Sequence, residues 1–107
     1  MKVAKADPVI YGLLAGEQRR SREVLQALQA KADKLPKGAL NVRRKQGPGR
    51  EYLYHYLVRR EGKKVVNQHI AERDLPALRA QIAEQEKCRA EMRIYKQRLA
   101  YLERLLK

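Results

Sequence analysis

Three tyrosines alternate with other residues along Glu51-Tyr-Leu-Tyr-His-Tyr-Leu-Val58, and basic residues crowd both flanks of that run. Tyr52, Tyr54 and Tyr56 supply rings that stack and hydroxyls that hydrogen-bond. Asn41, Arg43, Asn67 and His69 lie on the neighbouring segments. Arginine and asparagine suit base edges, lysine suits phosphate, and tyrosine suits stacking or a phosphate hydrogen bond. Between Lys37 and Val66 nine Lys/Arg face two acids, a net +7 out of +13 for the whole chain. The 36 residues before this segment and the 41 after it carry +3 each. Solubility needs no single-sign excess of that kind, whereas a polyanion partner would reward it. The expected partner is DNA or RNA. The expected contacts are the four polar residues and three tyrosines just named, rimmed by Arg44, Lys45, Arg50, Arg59, Arg60, Lys63 and Lys64.

Other chemistries find less support. His55 and His69 are expected on opposite faces of a hairpin, where they cannot share a metal, and the lone Cys88 cannot build a thiolate cluster. As a nucleophile Cys88 lacks a nearby base; as a small apolar group it suits the stripe of a helix. Gly47-Pro48-Gly49 lacks the Lys-Ser/Thr and the following helix of a phosphate loop. Glu84, Glu86, Glu91 and Glu103 are interspersed with Arg and Lys as on a salt-bridged helix face, and no acid/base dyad stands apart. A non-enzyme with no cofactor is expected.

The elements that must position these residues follow from periodicity and punctuation. Asp7-Pro8 reads as an N-cap followed by a proline at the first helical position. Ile10, Leu13, Leu14, Glu17, Ser21, Val24, Leu25 and Leu28 then mark a helix that ends near Lys34, before Leu35-Pro36. A second start at Asp74-Leu75-Pro76 opens a helix of about 32 residues, about 48 Å long. Its stripe runs through Leu75, Leu78, Ile82, Gln85, Arg89, Met92, Tyr95, Leu99, Leu102 and Leu106. Polar interruptions in both stripes favour helix pairing over burial in a large core, with an antiparallel hairpin the obvious arrangement. Leucines overhanging the shorter helix suggest a homodimer through the C-terminal helix.

Between the helices a three-stranded meander is expected, roughly Gly38–Arg44, Glu51–Arg59 and Lys64–Ala71. With Glu61-Gly62 as the hairpin tip, Leu57 would face Val66, Leu53 Ile70, Tyr56 Asn67 and Tyr54 His69. Alternation then puts Leu53, His55, Leu57, Val66, Gln68 and Ile70 on one face. Tyr52, Tyr54, Tyr56, Val58, Val65, Asn67 and His69 take the other. Leu40 and Val42 join the aliphatic face and Asn41 and Arg43 the tyrosine face, provided a six-residue loop preserves parity. The same alternation would also suit tyrosines packed beneath helices; their exposure separates the two readings.

The whole is expected to be one α+β domain over residues 1–107, with a helix at 7–34, a basic meander at 38–71 and a long helix at 74–106. One cysteine excludes an internal disulfide framework, no apolar run approaches membrane-spanning length, and Met1-Lys-Val-Ala-Lys5 is too short and polar for a signal peptide. A cytoplasmic protein is the expectation.

Leu35-Pro-Lys-Gly-Ala-Leu40, Gly49-Arg-Glu-Tyr-Leu-Tyr54, Arg60-Glu-Gly-Lys-Lys-Val65 and the closing Ile70 together resemble a small bacterial family of unknown function. Its members place a Lys-Gly strand, a Tyr-rich strand, an Arg-Glu-Gly turn and a Tyr-Ile strand between charged helices; here His69 stands where they have tyrosine. The resemblance implies no activity, but it implies a setting near mobile elements and defence or toxin systems. In layout alone, the basic meander followed by a helix is similar to the arm-type DNA-binding domains of phage integrases. Nucleic-acid binding accessory to a phage, mobile element or regulatory locus is thus the leading expectation. The rival is an inhibitor or antitoxin-like module that binds a larger nucleic-acid-handling protein, such as a defence nuclease.

Overall fold

The computed structural model describes residues 7–107, so the Met1–Lys5 stretch lies outside the described residues. Two helices flank a three-stranded antiparallel sheet, an α+β arrangement. Helix α1 (Pro8–Asp33) begins as its residues dictate: Asp7 Oδ1 accepts from the Val9 and Ile10 amides at 2.9 and 3.3 Å, and Pro8 occupies the first turn. Strands β1 (Ala39–Gly47), β2 (Arg50–Glu61) and β3 (Lys64–Ile70) follow in spatial order β1-β2-β3. A 3-10 turn (Glu72–Asp74) leads into α2 (Leu75–Leu106), 32 residues without a break. None of the described helices is long and apolar enough to cross a membrane.

The chain forms two compact units, one of residues up to Lys34 with Glu86–Lys107, the other of Leu35–Gln85. In the first unit Ser21 is fully buried and donates its hydroxyl to Glu17 Oε1 at 3.4 Å, while Arg98 Nη1 lies 3.9 Å from the same oxygen. Cys88, Met92 and Leu102 are buried here. Cys88 thus takes the place expected for Arg89, which is exposed. The reason is spacing: buried or half-buried positions on α2 step by three from Gln85 to Cys88, at the junction of the two units, before the four-three rhythm resumes at Met92, Tyr95, Leu99 and Leu102. Ile10 and Leu13, expected in the α1 stripe, are exposed. Of the C-terminal leucines that suggested a homodimer, Leu102 is buried and Leu99 and Leu106 are half-buried.

In the second unit the core is Leu57, Ile70 and Leu75, with Leu40, Leu78 and Ile82 packed against it. The first turns of α2 therefore cover the aliphatic face of the sheet around Leu40, Leu57 and Ile70, and leave Val42 and Leu53 exposed. The strand register differs from the one expected. His55 faces Ile70, Tyr56 faces His69, Leu57 faces Gln68 and Val58 faces Asn67. The hairpin tip is Gly62-Lys63 rather than Glu61-Gly62. Gly62 sits at the first central position with φ +61°, and among the described residues no non-glycine has positive φ. That is the type II′ requirement; a Glu61-Gly62 tip of type I′ would have forced Glu61 to positive φ as well. The correction moves pairing by two residues, so parity is unchanged and each side chain keeps its expected face.

The first hairpin is also tighter than expected. β1 and β2 pair from Ala39↔Val58 out to Gly47↔Arg50, leaving Pro48-Gly49 as the connection. Proline followed by Gly49 at φ +73° is the pairing a type II turn calls for. The anticipated six-residue loop is instead strand, and Leu40, Val42, Asn41 and Arg43 fall on the faces expected of them.

Two stability measurements check this packing. Leu57→Ala should cost about 2–5 kcal/mol in urea denaturation, whereas Leu53→Ala, at a position 56% exposed, should cost about 0.5 kcal/mol or less. Gly62→Ala should cost about 1–2 kcal/mol and Gly62→Asn clearly less, because only the turn conformation distinguishes them.

Candidate nucleic-acid interface

Alternation along the observed register assigns every residue of the sheet to a face. The face opposite the core carries Asn41, Arg43 and Lys45 from β1, Arg50, Tyr52, Tyr54, Tyr56, Val58 and Arg60 from β2, and Val65, Asn67 and His69 from β3. Asn41, Tyr56 and His69 form one row across all three strands. Both acids of the sheet, Glu51 and Glu61, point to the other face. There each meets an arginine: Glu51 Oε1 lies 3.7 Å from Arg44 Nε, and Glu61 Oε1 accepts from Arg59 Nε at 3.0 Å. The tyrosine face thus holds four cations and no carboxylate.

Cations and rings on this face interlock. The Arg43 guanidinium lies 4.8 Å from the centre of the Tyr56 ring, and Lys45 Nζ lies 5.5 Å from that of Tyr54. His69 lies between the two tyrosines, with ring centres 6.1 Å from Tyr54 and 5.6 Å from Tyr56, the latter edge-on. These contacts hold the rings upright on the strands and leave them in reach of solvent. Tyr52 is 41% exposed, Tyr54 and Tyr56 are half-buried, and Asn41, Arg43, Lys45, Arg50, Arg60, Asn67 and His69 are exposed. A surface of this make-up offers ring faces for stacking, amide and imidazole groups for hydrogen bonding, and uncompensated positive charge for phosphate.

The expected rim divides. Lys45, Arg50 and Arg60 join the tyrosine face; Lys63 lies in the Gly62-Lys63 turn; Arg44, Arg59 and Lys64 point to the opposite face. Arg59 is tied down twice, to Glu61 and by donating to Gln68 Oε1 at 2.7 Å. His55 is also on the core side, away from His69. Sequence reasoning placed the end of the third strand within one residue but set it opposite Leu53 rather than His55. β3 reaches only as far as Ile70 opposite His55, so the edge of β2 beyond it is open, and a groove of about 430 Å³ lined by Tyr52, Leu53, Tyr54, His55, His69, Ile70, Glu51 and Glu72 follows that edge. Two signals were available: a Gly62-Lys63 tip moves Ile70 from Leu53 to His55, and reading Pro48-Gly49 as a two-residue turn carries β1 out to Gly47.

No curated protein and no solved structure matches the chain. Residues 14–80 match the family described as Domain of unknown function (DUF6788), a stretch that takes in most of α1, the entire sheet and the opening of α2. With well over half of its length matched and the whole candidate interface inside the match, the chain belongs to this family of domains of unknown function.

Proposed function

We propose that this chain is a non-catalytic nucleic-acid-binding protein that contacts its target through the tyrosine face of the sheet. The observation that carries the reading is the segregation of charge: Arg43, Lys45, Arg50 and Arg60 share an uncovered face with three tyrosines, while both acids of the sheet are paired with arginines on the other side. A face evolved only for packing would be covered, and a face tuned only for solubility would mix signs. Asn41, Asn67 and His69 supply the hydrogen-bonding groups, and Lys63 extends the positive edge at the turn. The Glu17–Arg98 contact supports antiparallel pairing of α1 with the C-terminal part of α2. An accessory role in a phage, mobile element or regulatory locus, in the cytoplasm, would suit a small basic binding module of this kind.

A second reading rests on a separate observation. Val42 and Leu53 are 48% and 56% exposed on the aliphatic face, and Leu53 lines the groove at the open edge of β2. An inhibitor or antitoxin-like module could use that apolar edge to bind a nucleic-acid-handling protein. Tight one-to-one association with such a protein, together with no salt-sensitive DNA or RNA binding, would favour it.

Two measurements test the leading reading. The double variant Arg43→Ala/Tyr54→Ala should stay folded by circular dichroism and lose at least about tenfold in nucleic-acid affinity, since each stacked base is worth about 1–3 kcal/mol. Unchanged affinity would remove the face from consideration. Log affinity should also fall with log salt at a slope of about −3 to −4 if the four cations of the face each displace a counterion. A flat response would contradict phosphate contact.

A further inference from the structure

The outer part of the first hairpin stands apart from the rest of the sheet. β2 pairs with β3 only from His55 toward the second turn, so Arg43–Gly47 and Arg50–Tyr54 form a two-stranded ribbon with no third strand beside it. Five register pairs, Arg43↔Tyr54 to Gly47↔Arg50, make it about 14 Å long at about 3.4 Å per residue. An isolated two-stranded ribbon is marginal in water, so its length demands a reason.

The charges on the ribbon supply one. Arg43, Arg44 and Lys45 are consecutive, and consecutive strand residues point to opposite faces. Arg43, Lys45 and Arg50 therefore project from one side and Arg44 from the other. A flat single strand stacked on the tyrosines would use one side only. A groove has two phosphate walls, and a ribbon that enters it meets negative charge on both sides. Resting on the binding role proposed above, we infer that the ribbon Arg43–Tyr54 inserts into the major groove of duplex DNA, with Pro48-Gly49 leading.

The dimensions agree. The B-form major groove is about 12 Å wide and about 8.5 Å deep and admits a two-stranded ribbon, whereas the deep, narrow major groove of A-form RNA does not. A ribbon about 14 Å long brings its tip to the groove floor while its base remains outside. The tip itself, Pro48-Gly49, is uncharged and slim, as close approach to base pairs requires. Cations flank it at Lys45 and Arg50. Glu51 is the one acid on the ribbon, and it faces Arg44 in an exposed pair at 3.7 Å. The Arg44 side chain is 76% exposed, and such a surface pair is readily exchanged for phosphate.

Arg44 separates the two geometries, because it lies opposite the tyrosines. Fluorescence anisotropy would compare a 20-base-pair DNA duplex, its isolated strand and an RNA duplex of the same sequence, with Arg43→Ala, Arg44→Ala and the helix-surface control Lys96→Ala. Groove insertion requires Arg44→Ala and Arg43→Ala each to weaken duplex DNA binding about fivefold to tenfold, each lowering the salt slope by about 0.9, with Lys96→Ala unchanged. DNA duplex should bind more tightly than the RNA duplex. A DNA duplex whose thymines carry bulky C5 substituents, which fill the major groove, should bind several-fold less well. Loss with Arg43→Ala but none with Arg44→Ala, or indifference to the C5 substituents, overturns insertion and leaves the face-binding role standing. Absence of binding to all three nucleic acids overturns both.

Discussion

Side chains at successive positions of a strand point to opposite faces, and everything this molecule does with its sheet depends on that constraint. Through it a stretch of mixed leucines, tyrosines, arginines and glutamates becomes two surfaces with different work. Leu40, Leu57 and Ile70 meet the first turns of α2 and form a small core. One residue away along each strand, Tyr54, Tyr56 and His69 face solvent with Arg43 and Lys45 among them. A one-residue slip in the second hairpin would put Tyr56 on the face of Ile70, and one in the first would set Leu40 beside the tyrosines. The turns therefore matter more than their size suggests: Gly62 in a type II′ turn and Pro48-Gly49 in a tight connection set the parity of all three strands.

The same constraint explains what was legible in the chain. Both helices are readable because strong local signals mark them, Asp7-Pro8 and Leu35-Pro36 bounding α1 and Asp74-Leu75-Pro76 opening α2. The face assignment is readable because it needs only parity, and the hairpin pairing erred by two residues, an even number. The turn was misplaced because a glycine satisfies either central position of a hairpin by composition; only the conformational cost to its neighbour, Glu61 or Lys63, distinguishes them. Arg89 was assigned to the α2 stripe because a regular heptad passes through it. The stripe in fact takes a second step of three at Gln85–Cys88, which a regular heptad does not contain. Of the expected contact residues, Arg44, Arg59 and Lys64 separate from the rest because charge density along the chain ignores the faces.

Energetically the second unit is lightly built. Its core rests on three buried residues and three partly buried ones, so the sheet owes its order to two tight turns, a long β1–β2 ladder and one helix. Nothing in that core needs the ribbon beyond His55. Ordering those residues costs conformational entropy that a folded core does not repay, so a benefit in binding is the natural account of why they are there. The division of acids follows the same logic. Glu51 and Glu61 lie beside Arg44 and Arg59 on the core side, leaving the field of Arg43, Lys45, Arg50 and Arg60 unopposed on the tyrosine side.

The central claim is that the acid-free tyrosine face is the binding surface, and residue-resolved NMR tests it most directly. In a titration of isotope-labelled protein with a short DNA duplex at physiological salt, the largest amide shift changes should fall on residues 41–45, 50–56 and 67–69, with the α1 and C-terminal α2 amides nearly still. Changes centred on the helices, or a spectrum unmoved by saturating duplex and by single-stranded DNA or RNA alike, would contradict the account.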